Sequence, residues 1–198
     1  MLEDRAAGYG QRVMSTIVIG VVAKTGSAVA VALSGTAAAP QFAGRRGFEL
    51  VPPGVAAQPY HAAAGLDLAA AGQLIAQVES AAKQAAAAGL RALAATRPPG
   101  RVRAVAVVVK AVSVPGDLAG ILRSHAWMHA AEGVLYRQAV LAGAAGCGWT
   151  AHAVEQSALP AAEQVVNAFS RVAGRALAPF GKRRRTRCSG PSGNRSPR

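Results

Sequence analysis

The chain has 198 residues, enough for one well-buried core, and 52% of them are apolar, but much of that fraction is alanine and only 5% is aromatic. A mean hydropathy of +0.24 therefore reflects alanine content, and the longest apolar runs, such as 104–109, fall far short of the roughly 20 residues a spanning helix needs, so a membrane partner is not expected. The formal charge is +13, but seven basic residues and no acid lie from Lys182 onward, leaving +6 on the first 181 residues, a balance that suits contact with a polyanion.

Residues 1–14 are polar and are read as a dispensable extension. Glu3 and Asp4 stand where a secretory signal would carry positive charge, which points to a cytoplasmic protein. From Ile17 to Leu33, β-branched residues flank the turn Lys24-Thr25-Gly26-Ser27, the pattern of a two-stranded hairpin. Lys24-Thr25-Gly26 is not a phosphate loop, because Gly20 alone does not supply the paired glycines that must precede Lys-Ser/Thr. Phe48 to Val51, closed by Pro52-Pro53-Gly54, reads as a short third strand.

A helix is expected to begin near Asp67, a good N-cap, and to present Leu74, Ile75, Val78, Ala82 and Ala85 as one apolar stripe. Val102 to Val109 is nearly continuous in apolar residues, as in a strand buried on both faces. Asp117 caps a second long helix expected over 118–145. Thr150 to Glu155 alternates as a strand, and Pro160 opens a last helix to about Ala176, with Glu163 in its first turn. The domain is thus placed at 15–180, and 181–198 is a basic tail expected to be disordered. The tail's Arg/Ser/Pro/Gly make-up is also what a shifted reading frame in GC-rich DNA would encode. Cys147 and Cys188 fall at a helix end and in the tail, so neither a disulfide framework nor a cysteine zinc site is expected.

The order of hairpin, third strand, helix, central strand, long helix, fifth strand and final helix resembles the ribonuclease H-like superfamily, and most of all RuvC-type Holliday-junction resolvases. Ile17–Leu33, Val105–Val112 and Trp149–Ser157 carry the resemblance. It implies an α/β fold with a mixed sheet, an antiparallel meander of three strands followed by parallel strands, flanked by helices. It also implies carboxylates on the first strand, at the end of the central strand and near the last helix, holding two divalent cations that activate water on a phosphodiester. Here Val22 stands at the first of those positions and Lys110 at the second. No catalytic residue and no cofactor is therefore expected, and Mg2+ or Mn2+ would enter only if hydrolysis survives with relocated ligands.

His125, His129, Glu132 and Tyr136 fall within about 60° on a helical wheel, as one polar stripe. Two imidazoles four residues apart with a nearby carboxylate can hold a transition ion or serve acid-base chemistry. The plainer reading is a half-exposed helix flank, since there is neither an HExxH order nor a cysteine close by. His125, His129, Glu132 and Glu155 are the candidate ligands of any relocated metal site. Contacts to DNA or RNA phosphates are expected from Lys24, Arg45, Arg46, Arg101, Arg103, Lys110 and Arg123, and from Lys182, Arg183, Arg184 and Arg185 of the tail. Three readings follow: a catalytically degenerate domain that binds nucleic acid or a protein, a nuclease with relocated ligands, and a dimerisation module using the Trp127 helix. The resemblance makes a homodimer plausible.

Overall fold

The computed structural model describes residues 15–96 and 100–159; the expected last helix, the basic tail, Glu163, Cys188 and the N-terminal extension lie outside them. Strand β1 (Ser15–Lys24) and strand β2 (Ser27–Gly35) form the expected hairpin, with Val22 opposite Val29 and Lys24 opposite Ser27. The turn between them needs Gly26, whose φ of +72° is a conformation that side chains with a Cβ rarely adopt. Its carbonyl accepts a hydrogen bond from the Leu50 N–H at 2.8 Å, fixing the exit of the third strand.

That third strand, β3 (Pro40–Glu49), pairs antiparallel with β2 over the whole length of its partner. It starts eight residues before the predicted Phe48, and Leu50 and Val51 lie beyond its end. Its Gly and Arg residues weaken the propensity signal. As an edge strand it tolerates them, because pairing on one side and charge on the other are what an edge requires. Strand β4 (Gly100–Val109) runs parallel to β1 and strand β5 (Thr150–Glu155) parallel to β4, giving the order β3-β2-β1-β4-β5. This is a mixed α/β sheet with an antiparallel meander of three strands followed by parallel strands, the arrangement that the resemblance implies.

Four helices accompany the sheet among the described residues: α1 (Pro59–Ala63), α2 (Leu68–Ala95), α3 (Leu118–Leu122) and α4 (His125–Gly146). Ile17, Ile19, Val21, Ala28, Ala30, Ala32, Val105 and Val107 are buried on the face they cover, together with Ile75, Leu90, Leu93, Leu135, Tyr136 and Val140. On the other face Val18 and Val22 are 41% and 48% exposed, and Ala106 and Val108 are only half-buried. The central strand β4 is thus fully buried on one face, not on both as its apolar run suggested.

Asp67 and Asp117 cap α2 and α3 as expected, accepting from the Ala70 and Gly120 N–H groups at 2.9 and 2.7 Å. The single helix expected over 118–145 is two. Ser124 adopts an extended conformation (φ −136°, ψ 122°) and serves as the N-cap of α4, so the chain turns between α3 and α4. Helix α1 escaped prediction, because five residues are too few to show a periodicity. The small residues of α2 and α4 let the two helices approach closely: a Cβ on Gly143 would lie 2.9 Å from the Ala86 Cβ and 3.0 Å from the Lys83 carbonyl.

Candidate metal centre and sheet edge

The parallel strands β1, β4 and β5 finish at one edge of the sheet. Val21 pairs with Val107, so Val22 and Lys110 both belong to this edge, with Lys24 ending β1 and Glu155 ending β5 opposite Val109. Val22 is half-exposed and Lys110 exposed. Glu155 accepts a hydrogen bond from the Ser157 hydroxyl at 3.3 Å. A shallow hollow lined by Lys110, Ala111, Gln156 and Ser157 opens beside them.

Not all the basic candidates lie at this edge. Arg101 and Arg103 lie at the start of β4, about 20–30 Å away along the strand, where they line a groove with Thr16, Cys147, Trp149 and Thr150. Arg103 is the extra residue of a bulge, for Ile17 pairs with Val102 and Val18 with Ala104. Arg45 and Arg46 are exposed on the edge strand opposite Val31 and Ala30, and Arg123 is exposed at the end of α3. Lys182, Arg183, Arg184 and Arg185 lie outside the described residues.

The polar stripe on α4 is half-exposed, as its plainer reading had it, with His125 and His129 exposed at its start and its other end enclosed. Glu132 and Tyr136 are completely buried, while Trp127 on the same helix is 39% exposed. What buries that end is α1 and the segment before it. Pro59 occupies the first turn of α1, where its missing N–H costs nothing, and the Tyr136 hydroxyl donates to the Ala57 carbonyl at 2.6 Å. Burial, reinforced by the Glu132 charge, pushes the Tyr136 phenol up to about 12. Burial likewise raises the Tyr60 phenol, with smaller contributions from Glu79 and Glu132.

Docking α1 here brings a residue the sequence did not single out, His61, onto the stripe. Its Nδ1–H donates to Glu132 Oε1 at 2.8 Å, and its backbone N–H reaches the same oxygen at 3.4 Å. Its Nε2 lies 3.2 Å from His125 Nδ1, and His125 Nε2 lies 3.0 Å from His129 Nε2. The second Glu132 oxygen, Oε2, sits 3.6 Å from His129 Nδ1 and has no hydrogen-bond partner.

Three of the chain's four histidines therefore converge, each offering a nitrogen within 4.8 Å of the others. Of the four candidate ligands named from sequence, His125, His129 and Glu132 come together. Glu155 is not among the groups brought together, and its place is taken by His61. A βαβ crossover runs its helix antiparallel to the strands it joins, so the first turn of α4 points toward the edge where β4 and β5 finish. The only advance signals for His61 were the Pro59 helix start and the scarcity of histidine.

No family model matches this chain, and no curated protein matches it. Solved structures do. The chain is similar to Thermus thermophilus RuvC in complex with a Holliday junction substrate, at 15% identity and a TM-score of 0.46, covering 83% of this chain and 82% of that one. It is also similar to a second Thermus thermophilus RuvC structure, at 16% identity and a TM-score of 0.44, covering 82% and 83%.

Proposed function

We propose that this chain is a ribonuclease H-like domain that binds nucleic acid by phosphate contact at the edge where β1, β4 and β5 end, and does not cut it there. One observation carries the reading: at that edge the half-exposed Val22 and the exposed Lys110 hold the positions at which the resemblance implies carboxylates. A hydrocarbon cannot ligate a hard dication, and an ammonium repels one. Two lysines, Lys24 and Lys110, instead present point charges suited to phosphate oxygens. Such contacts give affinity without reading sequence.

The test is electrophoretic retardation of branched and linear DNA at about 50 and 200 mM salt, with and without Mg2+ or Mn2+. Retention that weakens steeply with salt, without strand cleavage, is the expected result. In the Lys24→Ala/Lys110→Ala variant the slope of log affinity against log salt becomes shallower by about two. Metal-dependent cleavage by the unaltered protein overturns the reading, as does retention indifferent to both lysines.

A further inference from the structure

We propose that His61, His125 and His129 ligate a divalent transition-metal ion, fitted best by Zn2+, with the buried Glu132 carboxylate orienting the rings from behind. The proposal stands independently of nucleic-acid binding. In a tetrahedral site with zinc–nitrogen bonds of about 2.0–2.1 Å, neighbouring ligand nitrogens are roughly 3.3 Å apart. His61 Nε2 lies 3.2 Å from His125 Nδ1 and His129 Nε2 lies 3.0 Å from His125 Nε2, two different nitrogens of one ring of which only one can face a given ion; with one nitrogen taken from each ring, the three donors fall within 4.8 Å of one another. Turning the His125 ring so that a single nitrogen faces both neighbours would close the set around one ion.

The second argument comes from Glu132. A completely buried carboxylate is costly unless its charge is balanced and its oxygens are bonded. Oε1 takes the Nδ1–H of His61, which leaves the Nε2 lone pair of that ring facing the other two histidines. Oε2, without a hydrogen-bond partner, lies 3.6 Å from the Nδ1 of His129. A slight turn of that ring gives it the same arrangement, with Nδ1–H on the carboxylate and Nε2 toward the ion. A carboxylate behind a ligating imidazole fixes tautomer and orientation in metal sites generally. The dication would in turn offset the buried negative charge.

The donor set selects the metal. A group of three imidazoles, with no carboxylate among its donors in the described residues, disfavours Mg2+, Ca2+ and Mn2+, which prefer oxygen, and suits zinc. Cys147 ends α4, 22 residues from His125 and so about 33 Å away along the helix, and supplies no thiolate. His125 and His129 are exposed, so the fourth position opens to solvent and would carry water or an anionic oxygen.

The test uses the full-length, tag-free chain stripped of metal, titrated calorimetrically with ZnCl2 and melted with and without the ion. One strong site per chain is expected, with a rise in Tm of about 5–10 °C at a hundredfold excess over Kd. His125→Ala, an exposed substitution that should leave the circular dichroism unchanged, loses the stoichiometric site, and so does His129→Ala. Glu132→Gln keeps the site but weakens it about 10–100-fold, and His152→Ala, remote in sequence from the cluster, binds as the unaltered chain does. Absence of stoichiometric zinc binding, or binding untouched in both His125→Ala and His129→Ala, overturns the proposal and leaves the cluster a knot of hydrogen-bonded imidazoles.

Discussion

Tyr136 is polar at one end and wholly enclosed, and its environment makes it a test of how α1 is held. Its hydroxyl bonds the Ala57 carbonyl, so Tyr136→Phe should cost about 1 kcal/mol by leaving that part-buried acceptor unpaired, read as a lower urea midpoint at pH 8 with an unchanged m-value. The phenol's folded pKa, about 12, is above the ordinary 10. The folded state therefore holds its proton more tightly, and this contribution is intact below pH 10 and is lost as pH rises toward 12. The gap between the unaltered protein and Tyr136→Phe should accordingly narrow from pH 9 to pH 11.5, and a gap that widens would place the phenol elsewhere. At this scale the spacing of His125, His129 and Glu132 was legible, because a continuous helix fixes which residues share a face. His61 was not, because its position depends on how a five-residue helix docks 71 residues away from Glu132.

Helices and strands were legible where a local signal marks their ends. Asp67 and Asp117 announced their helices through side-chain caps, and Asp67→Ala should lower stability by about 1 kcal/mol in chemical denaturation. The break at Arg123–Ser124 and the long β3 were hidden, since the first interrupts an otherwise helical composition and the second is held by pairing with β2 more than by propensity. The contact of α2 with α4 yields a sharper expectation. Gly143→Ala would improve intrinsic helix propensity by up to about 1 kcal/mol, yet the added methyl would meet the Lys83 carbonyl and the Ala87 nitrogen at 3.0 Å. Backbone atoms of a packed helix give way poorly, so overpacking of about 1–3 kcal/mol should prevail and the variant should melt at a lower temperature. A higher melting temperature would show that the two helices can slide apart at little expense.

Across the molecule as a whole, charge and sheet topology tell different stories. The succession of strands along the chain was legible from apolar runs, and their arrangement in the sheet through the resemblance, but how the basic residues distribute between the two ends of the sheet was not, because it depends on a register and a bulge that no local pattern encodes. With seven of 22 basic residues from Lys182 onward, a chain ending at Gly181 should retain DNA more weakly and with a salt slope smaller by up to about six, while keeping a residual salt-sensitive affinity from the body. Complete loss of retention would assign binding to the tail alone. The docking of α1 has a further consequence. His61 and His125 are 64 residues apart, with α2 and β4 between them, so an ion shared by both would fasten the ends of a long loop, whose closure carries a larger entropic cost than that of a short one. Amide protons of residues 59–64 would then exchange with deuterium more slowly in zinc than in chelator, while those of the distant strand β3 keep their rates.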